Sequence, residues 1–457
     1  MKRVIKDSAT HDVVVEATED ADVRPVELLD EAAFRLPRPS RALTALTTSA
    51  LALPGIAGSA RADAPIERAT ADAAFSYYKE DNLSPGKFST SGGVGSRERY
   101  EVYTGQLRFD LPATARTDVG IEILYEEMSG ASPWFVEAES GEPLQVMSGA
   151  TIEDERFDFL ADMDFYLDRG KDTISAGVSK EKDYFSMNYG IGTERNYNDK
   201  NTTLSAAGSF SYDWIDPTDA DDFSTRPSSK EKWSIDLFAG FSQILSRAST
   251  ASFTVNYKHS DGYLADPYKA IRQIGPAGQV IADRRPSGKD QVSLLARYRH
   301  HFEAVSGSLH GDYRFYTDDW GIISHTVDLA WYQNFFGWLT ITPSVRWYSQ
   351  GKADFYDTVL QAGSFPGDRS SDYRLSPYGA LSYRIKAEVE FADVWNYDAP
   401  DWLQTVGVSD GLDLIASLSY ERYFSDGDYS AVSVSESDEA PGLVRFRVFA
   451  VSVSGRF

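Results

Sequence analysis

The chain has 457 residues, a formal net charge of −24, 13% aromatic residues and no cysteine. Acidity on that scale argues against nucleic acid as a partner, because a phosphate backbone needs clustered lysine and arginine. The lack of cysteine suits a chain that crosses an oxidising compartment without disulfides, and the length fits either two or three ordinary domains or one large β-barrel.

The first signal along the chain is for export. Arg35, Arg38 and Arg41 precede an apolar run over 42–57, and Ala60-Arg61-Ala62 follows as a small-x-small cleavage pattern. Residues 1–62 therefore read as an N-terminal region with a signal peptide, cut near Asp63, and 63–457 as a single domain. The polar, acidic stretch before the signal is longer than an ordinary n-region, so it is either an extended n-region or an early start. Past it, no run of about 18 apolar residues could cross a bilayer as a helix. If this chain meets a membrane, it does so as strands.

The stretch "DERFDFLADMDFYLDRGKD" (154–172) shows how. Counting by twos puts Phe157, Phe159, Ala161, Met163, Phe165 and Leu167 on one face, and Arg156, Asp158, Leu160, Asp162, Asp164, Tyr166 and Asp168 on the other. A helix would set aspartates beside phenylalanines on every side, and aspartate disfavours helix interiors. The same alternation predicts strands over 71–80, 99–111, 117–128, 152–168, 172–182, 184–196, 201–214 and 231–245. It continues over 250–260, 289–302, 307–317, 321–336, 338–350, 372–387, 410–424 and 441–457. Several strands end in Tyr or Trp, as at the edge of an apolar band.

Connections alternate tight turns, such as 169–171 and 304–307, with long polar loops, such as 129–151, 261–288 and 425–440. That pattern predicts an all-β fold, a transmembrane antiparallel up-and-down barrel of about sixteen strands, with short periplasmic turns, long extracellular loops and both chain ends periplasmic. One supposed turn, 388–409, is long and reads as a small periplasmic helix. A soluble sandwich also alternates. The C-terminal strand counts against it: Phe449, Val451, Val453, Gly455 and Phe457 share one phase and end on phenylalanine, resembling the signal read by the barrel assembly machinery. The apolar faces then meet outer-membrane lipid, and the aspartates face an aqueous lumen.

"MSGASPW" (128–134), "GYLADPYK" (262–269), "DYRFYTDDWGIISHT" (312–326), "RWYSQGKADFY" (346–356) and "DYRLSPYGALSY" (372–383) resemble the bacterial outer-membrane family known as domain of unknown function 3570. The resemblance covers roughly residues 65–457. It implies a Gram-negative outer-membrane barrel and carries over no activity, substrate or catalytic residue. It also implies a redox setting, because members tend to be encoded beside thioredoxin-like and flavin-transferase proteins.

Candidate chemistry is sparse. His300 and His301 are adjacent and point apart on a strand, while His310 and His325 lie on neighbouring strands in opposite phases, so they do not converge on a metal. Ser324 and His325 also face apart, which leaves no nucleophile and base pair. No cofactor is implied, and the chain is not read as an enzyme. Asp318 and Asp319 could join Asp354 or Asp357 around a divalent cation, but solvated turn acids are the favoured reading. Trp134 either docks a partner or packs its loop.

Charge gives the strongest signal. Glu122, Glu126, Asp158, Asp162, Asp164 and Asp168 form an acidic lumen wall on the third and fourth strands. Arg297, Arg299, Arg314, Arg346, Arg374, Arg384 and Lys386 form a basic wall on the tenth to fourteenth. Two functions lead: a porin-like passive channel for small polar or charged solutes with a transverse field, or a non-conducting barrel, held by ion pairs, that docks a periplasmic or surface partner; an outer-membrane enzyme is the third.

Overall fold

The computed structural model describes residues 65–89, 96–138, 142–148, 152–218, 220–221, 223, 225–274, 279–361, 363, 367–395 and 412–457. The predicted signal peptide and cleavage point lie outside these residues.

The chain runs through β1 (Thr70–Glu80), β2 (Glu101–Thr114), β3 (Thr117–Gly130), the short β4 (Pro133–Glu137) and β5 (Leu144–Met147), β6 (Ile152–Leu167), β7 (Gly170–Lys180), β8 (Tyr184–Tyr197), β9 (Thr202–Ile215) and β10 (Lys230–Ser246). It continues through β11 (Ser249–Gly262), the short β12 (Ala270–Arg272) and β13 (Val280–Ala282), β14 (Gly288–Phe302), β15 (Gly307–Asp318), β16 (Ile323–Phe335), β17 (Leu339–Gln350), β18 (Tyr378–Trp395), β19 (Leu412–Asp426) and β20 (Arg445–Arg456). All but the four short strands close into one antiparallel sixteen-stranded barrel, and the short ones form two hairpins in the loops.

Closure joins β1 to β20, with Thr70 opposite Arg456 and Phe75 opposite Val451. The barrel wall has no open strand edge, which is what a lipid environment demands of backbone N–H and C=O groups. The predicted alternation sets the register. Along β6, Phe157, Phe159, Phe165 and Leu167 are exposed on the outside, whereas Asp162, Asp164 and Tyr166 are buried inside. The exposed band continues around the wall through Ile174, Ile191, Phe210, Leu237, Phe253, Leu329, Ile385 and Leu418.

Tight turns at 115–116, 168–169, 198–201, 247–248, 303–306 and 336–338 gather at one end, the turn end, and the long loops at the other, the loop end. Asn198, Asp199 and Lys200 all take positive φ in their turn, as do Ser306 and Phe336 in theirs. Two expectations shift. The strand expected over 372–387 starts at Tyr378, because Asp372 caps a short 3-10 turn over Tyr373–Leu375 by accepting from the Arg374 N–H at 3.1 Å. That strand also continues to Trp395, so the start of the expected 388–409 helix is strand. The remainder of that expectation, 396–409, lies outside the described residues.

Candidate functional site

The largest buried apolar cluster sits inside the barrel mouth at the loop end. Inward side chains of the wall, Tyr78, Val102, Met128, Phe446 and Val448, pack against Trp320, Ile322, Ala353, Tyr356, Tyr373 and Leu375 from the loops. The loops therefore fold inward and roof the lumen on the side of β1–β3 and β16–β20. Trp320 is held by the turn before it: Asp318 accepts from the Trp320 and Ile322 N–H groups at 3.1 and 2.9 Å, and from Lys289 and the Tyr316 hydroxyl at 2.9 and 2.8 Å. Asp319 accepts from the Asp290 N–H at 3.0 Å. Both acids work as turn residues.

A buried charge cluster ties the roof together. Arg285 bridges Asp283 and Asp372 at 2.9 Å each, and Arg374 reaches Asp266 at 2.7 Å and also pairs with Asp372. Lys269, from the loop after β11, donates to the Pro133 carbonyl from the loop after β3. Tyr268 donates to Asp183 in the β7–β8 connection, and Arg99 pairs with Glu80 while donating to the Gly442 carbonyl at 3.1 Å. Loops from all round the barrel are thus knitted across its mouth.

Burial, partly offset by Asp372, pushes the Lys269 ammonium down to about 8. Burial alone would raise the Asp372 carboxyl, but Arg374, Lys269 and Arg285 outweigh it and hold the group well below the usual carboxylate range. Asp283 goes the other way, raised by burial against the pull of Arg285.

Below the roof the walls differ. Along β7–β10 a lumen-side cavity of about 360 Å³ is lined mostly by small groups, among them Ser175, Gly190, Gly192, Ser205, Ala207 and Ser209, with Lys171, Glu194 and Asp236 at its margin. On the acidic wall, Arg108 reaches Asp162 at 3.0 Å and Glu122 at 3.5 Å, Arg156 pairs with Asp158, and Lys171 meets Asp164 at 3.2 Å. Glu126 is buried, with the Thr104 hydroxyl 3.4 Å away. Asp168 is not on this wall; it lies exposed in the turn after β6, 3.6 Å from Arg116.

The basic wall carries its own carboxylates. Asp312 takes Arg299 and lies 3.7 Å from Arg297, Asp328 meets Arg346 at 2.5 Å, and Glu388 meets Lys386 at 2.6 Å. Arg384 stands opposite Glu421 in the ladder. Arg314 makes no ion pair among the described residues, and Arg374 belongs to the roof, because the 3-10 turn lifts it off the strand. Asp312, Asp328 and Glu421 share the inward phase of their strands, a signal that a tally of basic residues alone passes over.

The histidines separate as their phases require. His325 faces outward against Tyr313 at 2.8 Å, and His301 lies beside Ser308 at 2.9 Å. Among the described residues, three potential metal-ligating side chains converge only at Asp154, Glu181 and Asp183, whose ligand oxygens lie within 4.8 Å of one another. Trp134 lies on β4, edge-on to Phe135.

The sequence pattern of the family described as Protein of unknown function (DUF3570) matches residues 43–400. The chain belongs to that family. The stretches that carry its resemblance to DUF3570 converge on the roof: Met128 and Pro133, Asp266 and Lys269, Asp318 and Trp320, Ala353 and Tyr356, Asp372 and Arg374. No curated protein matches the sequence.

Solved structures similar to this DUF3570 chain are outer-membrane barrels at low identity. A Pseudomonas aeruginosa FadL homologue shares 10% identity, with 85% of this chain and 90% of that one covered and a TM-score of 0.36. Pseudomonas aeruginosa OccK5 (OpdH) shares 9%, with 85% and 98% covered and a TM-score of 0.36. CdiB from Acinetobacter baumannii shares 7%, with 85% of this chain but 60% of CdiB covered and a TM-score of 0.44.

Proposed function

We propose that this barrel is a passive channel for small polar or charged solutes in the outer membrane of a Gram-negative cell, restricted at its loop end by the roof. The observation that carries the reading is the lumen-side cavity of β7–β10, where Ser175, Gly190, Gly192, Ser205, Ala207 and Ser209 leave open space beside ion-paired walls. Such a surface binds no solute tightly, which suits conduction more than storage. In this reading the turns and both chain ends are periplasmic, and the barrel assembly machinery and membrane lipid are its partners in biogenesis. Conductance in planar bilayers tests it. Wild-type protein should give small, intermittent openings, and Lys269→Met should raise the open fraction several-fold by removing the contact to Pro133. Folded wild type and variant that are both silent would sink the channel.

A second reading takes the roof as closed: the barrel then docks a periplasmic or surface partner, in a redox setting if the family's gene neighbours apply. The buried Asp372 cluster favours it, since paired buried charge specifies one arrangement of loops.

A further inference from the structure

The outer face of β19, β20, β1 and β2 is layered by chemistry. At the loop end, Arg422, Arg447, Lys79 and Glu101 stand opposite one another across four strands. Two residues toward the turn end, the same ladder reads Tyr420, Phe449, Tyr77 and Tyr103, with Tyr77 on Tyr103 at 5.0 Å and Tyr420 on Phe449 at 4.7 Å. Next come Leu418, Val451, Phe75 and Gly105, and then Ala416, Val453, Ala73 and Leu107. Cations, aromatic rings and aliphatic side chains thus follow one another, in the order of a lipid's headgroup, interface and tail.

The aliphatic layer is grooved. Ala73 and Gly105 are small where their neighbours are large, a β-carbon on Gly105 would meet nothing within 4 Å, and a cavity of about 410 Å³ runs between Phe75, Leu107, Val451 and Val453. In the cationic layer, Arg422 pairs with Asp81, Lys79 with Glu101, and Arg445 with Asp426 at 3.4 Å. Arg447 has no ion pair among the described residues, although it stands directly between Arg422 and Lys79. Like charges opposite one another in a sheet repel. An anion seated on Arg447 relieves that repulsion, and a guanidinium takes a phosphate in two parallel hydrogen bonds.

We infer that this face binds a membrane lipid with a net anionic phosphate headgroup, its phosphate on Arg447 between Arg422 and Lys79 and one acyl chain in the Ala73–Gly105 groove. The site lies on the outside of the wall, so it does not depend on whether the lumen conducts. The test uses the full-length barrel in detergent micelles, titrated with dioleoyl phosphatidic acid or dioleoyl phosphatidylcholine and read by native mass spectrometry. Phosphatidic acid should bind at least tenfold tighter. Arg447→Gln should weaken it at least fivefold, and Gly105→Leu, which fills the groove and leaves every cation in place, at least threefold. Inorganic phosphate at the same concentration should not compete. Equal retention of the two lipids, unchanged binding in the Gly105→Leu barrel or in a folded Arg447→Gln barrel, or competition by inorganic phosphate equal to that of the lipid would each overturn the assignment.

Discussion

A single residue's phase decides which solvent it meets. Phe159 on β6 is exposed on the outer face, and Ser209 on β9 faces the lumen beside the cavity. Phe159→Arg therefore places a charge in hydrocarbon, at a cost of roughly 2–4 kcal/mol near mid-bilayer, whereas Ser209→Arg meets water. Urea unfolding in micelles should rank the two in that order; equal midpoints would refute the phase assignment. Wetness by period is not the same as solvation, however. Asp162 faces the lumen but is buried against Arg108, so its substitution by arginine would oppose two guanidinium groups. Gly379 shows a different single-residue constraint: a β-carbon there would collide with the Tyr429 backbone, where the β19–β20 loop folds over the outside of the wall. That fold is held by the Trp347 indole donating to the Tyr429 carbonyl at 2.9 Å.

At the scale of elements, the roof loops depend on a few buried charges. Asp372→Asn leaves Arg285 and Arg374 buried beside an amide and should cost the roof roughly 3–5 kcal/mol, the usual penalty for breaking a buried pair from one side. The expected result is faster proteolysis within 351–377 while the strands remain protected. Lys269 supplies a pH test. Its ammonium gives up a proton at about 8 in the folded roof and near the ordinary lysine value, roughly 10.4, in an unfolded chain. The unfolded state binds more protons between these values, so this group's contribution to stability grows as pH rises through that window and is lost as pH falls through about 8. Lys269→Met should flatten the dependence of loop proteolysis on pH from 8 to 10; an unchanged slope would remove Lys269 as its source. The closing strand gives a further prediction. The Phe457 N–H donates to the Ala69 carbonyl at 3.0 Å beside the β1–β20 seam, so Phe457→Asp should lower the yield of heat-modifiable folded barrel through failed recognition and closure.

For the whole molecule, the lumen's field is set by pairs and not by walls. Asp312, Asp328 and Glu421 remain when Arg297, Arg346 and Arg384 are changed to Gln, so that wall becomes acidic and the reversal potential in a salt gradient should shift toward cations. Changing Asp158, Asp162 and Asp164 to Asn leaves Arg156, Arg108 and Lys171 and should shift it toward anions. Both shifts should grow as salt is lowered, because screening over about 8 Å at physiological salt weakens. A conducting barrel whose selectivity ignores both sets would show that its ions pass along the small-residue side of β7–β10.

What the sequence alone determined is the barrel. A period of two marks which side chains meet lipid, closely spaced turn residues mark the turn end, and the assignment of β6 could be made from its phenylalanines and aspartates without any partner strand. The physical reason is that facing is a local property, read within one strand. Pairing is not local. That Asp312 neutralises Arg299, or that Lys269 crosses to Pro133, depends on loops and strands distant in sequence meeting in space. Tertiary structure alone therefore decided that Arg374 belongs to a roof, that the basic wall is largely neutralised, and that Arg422, Arg447 and Lys79 form one row across the seam where the first strand meets the last.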